Sequence, residues 1–380
     1  MNDSQAPAPL REIAIDGDYL TEFLGRLLAT PSPSGYTDAI VRLCARELER
    51  LGVPYEVTRR GAIRATLAGH RTQPARSLVA HVDTLGAQVK RLKDNGRLEL
   101  VPIGHWSARF AAGARCTVYT DEGAIRGTIL PLKASGHTFA DEVDTQPTGW
   151  AHIELRVDVP AEDRAGLERH GLNVGDTVAI DSAPEFVPNG FINARHLDDK
   201  AGVAVLFASL AALRAIGRVP PVAVHYLFTI AEEVGVGASA ILHGDVASMV
   251  TIDNGTTAPG QNSRETGVTV AMADQTGPFD YHLTQKLLRL ARENSIPHQR
   301  DVFRYYRSDS AAALEAGNDI RTALLTFGVD ASHGWERIHR DALVDLARLV
   351  AIYVTSEVEL PRDAKELASL KGFTRQPIKN

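Results

Sequence analysis

The stretch VAVHYLFTIAEEVGVG, residues 222–237, decides the fold. Residues 222–230 form a run of β-branched and aromatic side chains with almost no polar alternation, which predicts a strand buried on both faces. The run ends in two adjacent carboxylates, Glu232 and Glu233, and then a glycine-rich loop. In open α/β sheets, ligands bind in the crevice beyond the carboxyl ends of the strands. Two like charges side by side at such an edge repel each other, and cations or protons must offset that. An isolated Glu-Glu pair is more often a solvated strand end, so its meaning depends on partners elsewhere in the chain.

The same pattern recurs outward from this stretch. Residues 77–81 read as a short apolar strand running into HVD, which places His81 and Asp83 at its end. Residues 249–253 read as a strand ending in Asp253, and residues 322–329 as a strand followed by His333. Asp198 and Asp199 stand in HLDDKAG, just before an apolar helix at 201–216. Further helices are predicted at 18–28, 37–51, 281–293, from 310 and at 340–359, with a strand at 267–273. Strands alternating with helices imply a three-layer α/β/α domain around a mostly parallel central sheet. Residues 88–188 differ in character. Short alternating runs and turn signals at 94–96, 121–123 and 174–176 predict a small barrel-like β module. It would be inserted between the two parts of an α/β unit made of residues 1–87 and 189–380.

Composition narrows the function classes. The 380 residues carry a formal net charge of −6, which gives no electrostatic footprint for nucleic acid. Two cysteines, Cys44 and Cys116, argue against a disulfide framework and against cysteine-based zinc sites, and they suit a reducing cytoplasm. The first twenty residues lack an apolar core of signal-peptide length, and the most apolar stretch, residues 201–217, is broken by Arg214. A cytoplasmic protein without a membrane span is expected. The polar stretch after Leu370 reads as a frayed tail.

The strand-end residues are all hard donors. Imidazole nitrogens and carboxylate oxygens are normal ligands of divalent metals, and a pair of ions roughly 3.5–4 Å apart is bridged by a carboxylate while a non-ligand base handles the water's proton. A ligating histidine commonly has its second nitrogen held by a carboxylate, and Asp83 stands two residues beyond His81. Each fragment alone carries little, because a single HxD is usually structural and an Asp-Asp pair before a helix is often an N-cap. Their order and shared placement carry more.

Taken together, HVDTLG, RHLDDKAG, AEEVGVGAS, TIDNG and SHGWE resemble the co-catalytic dinuclear aminopeptidases of the tetrahedral (TET) and glutamyl aminopeptidase type. The similarity spans nearly the whole chain, including the β-rich insertion. The resemblance implies two divalent ions, zinc with cobalt or manganese as alternatives. Asp198 would bridge them, His81 and Asp253 would complete one site, and Glu233 and His333 the other. Glu232 would be the catalytic base and Asp83 would orient His81. It also implies a homo-oligomer, dimer-based and possible as a dodecamer, with subunit contacts through the insertion. Two departures bear on substrate: Thr84 stands where these peptidases usually have Glu, and the segment GVDAS just before His333 lacks the Arg-Tyr pair they often carry there. The stretch FRYYRSDSAAALEAGNDIRTALLTFGVDASHGWERIH is similar to a subgroup linked to bacterial synthesis of an N-acetylated glutamine dipeptide amide osmolyte.

Other residues have plainer readings. His196 matches no ligand of the family, His225 lies inside an apolar strand, and Asp199 reads as an N-cap or a support for the ligands. His339 competes with His333 for the last ligand position. His105, His137, His152 and His170 lie in the inserted module, apart from the chemistry. Arg307 and Asp309, beside the aromatic pair Tyr305 and Tyr306, are candidate substrate-binding residues. Three functions follow: an aminopeptidase acting on short peptides, an amidase or peptidase acting on a small N-acylated dipeptide, and a non-catalytic assembly or binding protein on the same fold.

Overall fold

The computed structural model describes residues 13–358 and 360–377. The reading of the first twenty residues therefore falls partly outside the described residues, as do Glu359, expected to close the last helix, and the last three residues of the tail.

The architecture is mixed α/β, with one large sheet and a separate closed barrel. Four parallel strands form the centre of the sheet in the order Val222–Thr229, Arg71–His81, Val246–Thr257 and Arg321–Asp330. All eight residues of Val222–Thr229 are buried, so both faces of the sheet are covered there. Antiparallel strands extend it on either side: Ile63–Leu67 pairs with Val222–Thr229, and Val268–Asp274 pairs with Arg321–Asp330. The helix Leu197–Ala215 is buried nearly all round and packs against Gly17–Leu28 and Arg340–Thr355, which explains its apolar sequence without an exposed stripe. Helix ends follow local chemistry. Asp16 caps Gly17–Leu28 by accepting from the Asp18 and Tyr19 N–H groups, and Gly52 ends Asp38–Leu51 in the left-handed conformation at φ 66°.

The register fixes the site. Thr229 lies opposite His81, and Thr251 lies opposite Val79. Asp253, two residues beyond Thr251, is therefore level with His81 on the neighbouring strand, on the same side of the sheet. Glu232 and Glu233 follow just past Thr229.

Six antiparallel strands, from Gly86–Leu92 to Thr177–Ile180, close into the barrel. It has its own apolar core, including Leu98, Leu100, Cys116, Val118, Ile129 and Leu155, distinct from the core of the sheet domain. No described helix is long and apolar enough to cross a membrane.

Candidate metal centre and active site

Asp198 and Asp199 begin the buried Leu197–Ala215 helix with non-helical backbone angles, so they turn away from the helix axis toward the strand ends. Asp198 lies between two imidazoles. His81 Nε2 is 3.2 Å from its Oδ1, and His333 Nε2 is 3.2 Å from its Oδ2. Glu232 Oε2 is 3.8 Å from His81 Nε2, and Glu233 Oε2 is 3.8 Å from His333 Nε2. Two groups of donors, His81 with Asp198 and Glu233, and His81 with Asp199 and Asp253, each have ligand atoms within 4.8 Å of one another.

The imidazoles are held from behind. His81 Nδ1 bonds the Asp83 main-chain carbonyl at 2.9 Å, while the Asp83 carboxylate stands 3.6 Å away. That carboxylate accepts instead from the Ser34 hydroxyl at 2.5 Å and from the N–H groups of Glu232 and Glu233 at 3.2 and 3.4 Å. His333 Nδ1 bonds the His105 carbonyl at 2.9 Å, so a loop of the barrel orients it. In each case the carbonyl accepts from Nδ1 and leaves Nε2 as the free donor atom, the tautomer a metal requires.

Electrostatics make the site a receptor for positive charge. Burial, and then the charge of a neighbouring aspartate, Asp253 for Glu232 and Asp198 for Glu233, pushes both glutamates well above the usual carboxylate range. Burial and the neighbouring Asp198 push Asp253 up to about 7. Against burial, the hydrogen bonds of His333 and His81 hold Asp198 below its ordinary value. Against the same opposing effect, Asp198 and Glu233 raise His333 to about 10. The ion-pair partners of these buried carboxylates are imidazoles. Carboxylates crowded in this way ionise together only beside a cation, and the donor set of imidazole nitrogen and carboxylate oxygen fits divalent metals.

Asp198, Glu232, Glu233, Asp253 and His333 line a cavity of about 900 Å³, together with Tyr305, Tyr306, Arg307, Gln275 and His105. Arg307 sits at its exposed rim, paired with Glu315 at 2.6 Å. Asp309, expected as a substrate contact, also lines this cavity. It is 1% exposed, and its two oxygens are taken by the Thr229 hydroxyl at 2.5 Å and the Ala238 N–H at 2.6 Å.

Several residues have roles the sequence reading passed over. Asn254 donates from its side-chain amide to Asp198 Oδ2 at 2.7 Å. Glu336 accepts from the N–H groups of Leu197, Asp198 and His333, tying two distant site segments together. Only the position of Glu336, three residues after His333, was a visible signal. Asp199 accepts from the His81 N–H at 3.1 Å and caps no helix. His339 caps the Arg340–Thr355 helix through Nδ1 and bonds the Asn189 carbonyl through Nε2, which occupies both nitrogens. His196 bonds the Ile180 carbonyl, and burial lowers it to about 3. His225 belongs to a polar network with Thr66 and Asp245.

The family model for M42 glutamyl aminopeptidase matches residues 61–349. The chain belongs to the M42 peptidase family. YhfE of Bacillus subtilis (strain 168), an aminopeptidase by name, is 35% identical over 336 residues, covering 88% of this chain and 97% of its own. The fold matches a TET aminopeptidase from a marine sediment archaeon of the Thaumarchaeota with a TM-score of 0.81 at 20% identity, over 89% of this chain and 96% of that one. It matches the TET1 peptidase of Pyrococcus horikoshii, which assembles into a tetrahedron or a large octahedral shell, with a TM-score of 0.78 at 22% identity, over 89% and 100%. M42 enzymes are metal-dependent peptidases of the aminopeptidase class, and this chain is one by family.

Proposed function

We propose that this M42 peptidase is a dinuclear metal-dependent aminopeptidase that removes amino-terminal residues from short peptides. The observation that carries the reading is Asp198, whose two oxygens each face a different histidine Nε2 at 3.2 Å. In this assignment Asp198 bridges two sites, one completed by His81 and Asp253 and the other by Glu233 and His333. Two zinc ions, or cobalt or manganese with the same donors, would supply the positive charge that polarises the scissile carbonyl and acidifies an attacking water. Glu232, whose Oε2 is 3.8 Å from His81 Nε2, takes the proton from that water and passes it to the leaving amine. Asp83 fixes His81 through its carbonyl and the Glu232–Glu233 backbone through its carboxylate. Arg307, on the exposed rim, is placed to meet a substrate carboxylate or carbonyl.

The residues 1–87 and 189–380 form the catalytic unit in this reading, with residues 88–188 as an inserted module that joins subunits of a cytoplasmic homo-oligomer, dimer-based or dodecameric. Exposed apolar residues on the barrel, Val101, Leu132 and Val174, support that use.

Glu232→Gln is expected to abolish turnover while both metals stay bound, whereas Asp198→Ala loses metal. Elemental analysis and a dipeptide hydrolysis assay on the same preparations check this. Substantial turnover by the Glu232→Gln protein would sink the assignment of the base.

A second reading keeps the centre and changes the substrate to a small N-acylated dipeptide, as in the osmolyte-linked subgroup. The cavity residues Tyr305 and Arg307 favour it, since they offer donors for an acyl or amide oxygen. Parallel assays with free and N-acetylated dipeptides separate the two.

A further inference from the structure

Tyr306 has a feature that the reading above leaves unused. Its ring is fixed, with its centroid 5.4 Å from that of Phe303, and it packs on a small apolar cluster of Ala271, Phe279, Phe303 and Leu324. Its carbonyl accepts from the Gln275 N–H at 3.0 Å, which anchors the backbone as well. The hydroxyl at the far end of this ring is buried, and among the described residues it has no hydrogen-bond partner. It faces the Asp253 carboxylate, toward which it can donate, but the two do not meet at the distance and angle of a formed hydrogen bond. Tyr306 lines the cavity that holds Asp198, Glu232, Glu233, Asp253 and His333. A buried polar group left unpaired in a native protein calls for an explanation, and a partner that arrives with the substrate is one.

The chemistry of the cavity narrows what that partner is. Carboxylates dominate the lining, and when ionised they accept hydrogen bonds but cannot donate them. They can serve an ammonium group or a leaving amine. They cannot serve the oxygen of a carbonyl under attack, which gains negative charge and needs donors. Among the fixed donors nearby, the Asn254 amide is committed to Asp198 and Asp253. Arg307 is on the exposed rim and paired with Glu315. The Tyr306 hydroxyl is a rigidly held donor, and its neighbour Asp253 does not meet it at the distance and angle of a hydrogen bond.

We propose that Tyr306 is a catalytic residue, its hydroxyl donating a hydrogen bond to the oxygen of the scissile carbonyl as negative charge collects there. The phenol keeps its proton throughout, so the step adds no bond and leaves the proton transfers to Glu232. A donor held in place before the reaction gains most in the transition state, where the charge is largest. The inference rests on the peptidase reading of the centre.

Tyr306→Phe removes one oxygen and leaves the ring packing in place. For a peptide the wild-type protein hydrolyses, the variant is expected to lose about 10²-fold in kcat with little change in KM. Affinity for a peptide phosphinate, which mimics the tetrahedral species, should fall by a similar factor, while metal content and melting temperature stay as in the wild type. Unchanged kcat, a rise in KM alone, or loss of metal would each overturn the proposal, the last by showing that Tyr306 only supports Asp253. Glu232→Gln measured alongside separates the two levels. An inactive Glu232→Gln with a fully active Tyr306→Phe removes this inference alone, whereas an active Glu232→Gln removes the reading beneath it.

Discussion

Glu232 and Glu233 owe their positions to two other carboxylates. Asp83 accepts from both of their N–H groups on one side of the loop. Asp309 bonds Thr229, the last residue of the strand, and Ala238, the first residue after the loop, and so closes it at both ends. Gly237 shows how tight that closure is. Its φ of −58° suits any residue, yet a Cβ there would sit 2.1 Å from Asp309 Oδ1. Gly237→Ala should therefore push Asp309 off the Ala238 N–H and displace the loop. We expect kcat/KM to fall at least 10-fold, roughly the effect of misplacing a catalytic group by a fraction of an ångström. Thr229→Val, which removes only one of the two bonds, should cost less. Native turnover by Gly237→Ala would refute the bracing role. The strand-end groups were legible in the sequence because each is a His, Asp or Glu where an apolar run stops. Asn254 and Tyr306 were not, since their meaning lies in contacts with segments far away in the chain, and Glu336 was legible only by its spacing from His333. Asp83 was legible by its spacing from His81, but only the structure shows that its carbonyl faces the imidazole while its carboxylate grips the loop.

Elements were legible where one force dominates. The strand Val222–Thr229 and the helix Tyr281–Glu293 follow directly from apolar patterning. The strand read at residues 77–81 starts earlier, at Arg71, because residues 71–73 are exposed and polar, and their extended form comes from alignment beside the neighbouring strand. The helix Leu197–Ala215 hides its first turn, where Asp198 and Asp199 leave helical geometry to reach the site. The Arg340–Thr355 helix carries a testable electrostatic cost. Burial, and then the Asp341 charge one turn earlier, raise Asp345 to about 6. An unfolded aspartate titrates near about 3.9. Between those values the folded chain binds more protons than the unfolded chain, so stability falls as pH rises through the window. Asp345→Asn is expected to raise the melting temperature at pH 8 and to leave it nearly unchanged at pH 4. A gain of equal size at both pH values would show that the effect is not the charge.

At the scale of the molecule, the barrel and the sheet domain have separate cores but share the site. The His105 carbonyl of the barrel orients His333, and His196 bonds the end of the last barrel strand at Ile180. Those two links make the barrel part of the site's geometry. The alternating strands and turns of the barrel were legible, whereas its closure and its hold on His333 depend on pairings that no local pattern encodes. Its outer surface bears on assembly. Leu98 and Leu100 point into the barrel, and Val101, 37% exposed, follows them on the outside, while Val174 is 66% exposed. Apolar groups left outside on a small barrel with a complete core contribute nothing to folding, but would contribute to association by leaving water. If the barrel joins subunits, Val101→Asp or Val174→Asp should reduce the assembled mass in sedimentation velocity while the circular dichroism of the fold is retained. Because the charge would be introduced on the outer surface, the His105–His333 bond and metal content should survive, so any loss of activity would follow dissociation. An assembly that keeps its mass in both variants would place the interface off these barrel positions and leave the insertion with its hold on His333 as the better supported role.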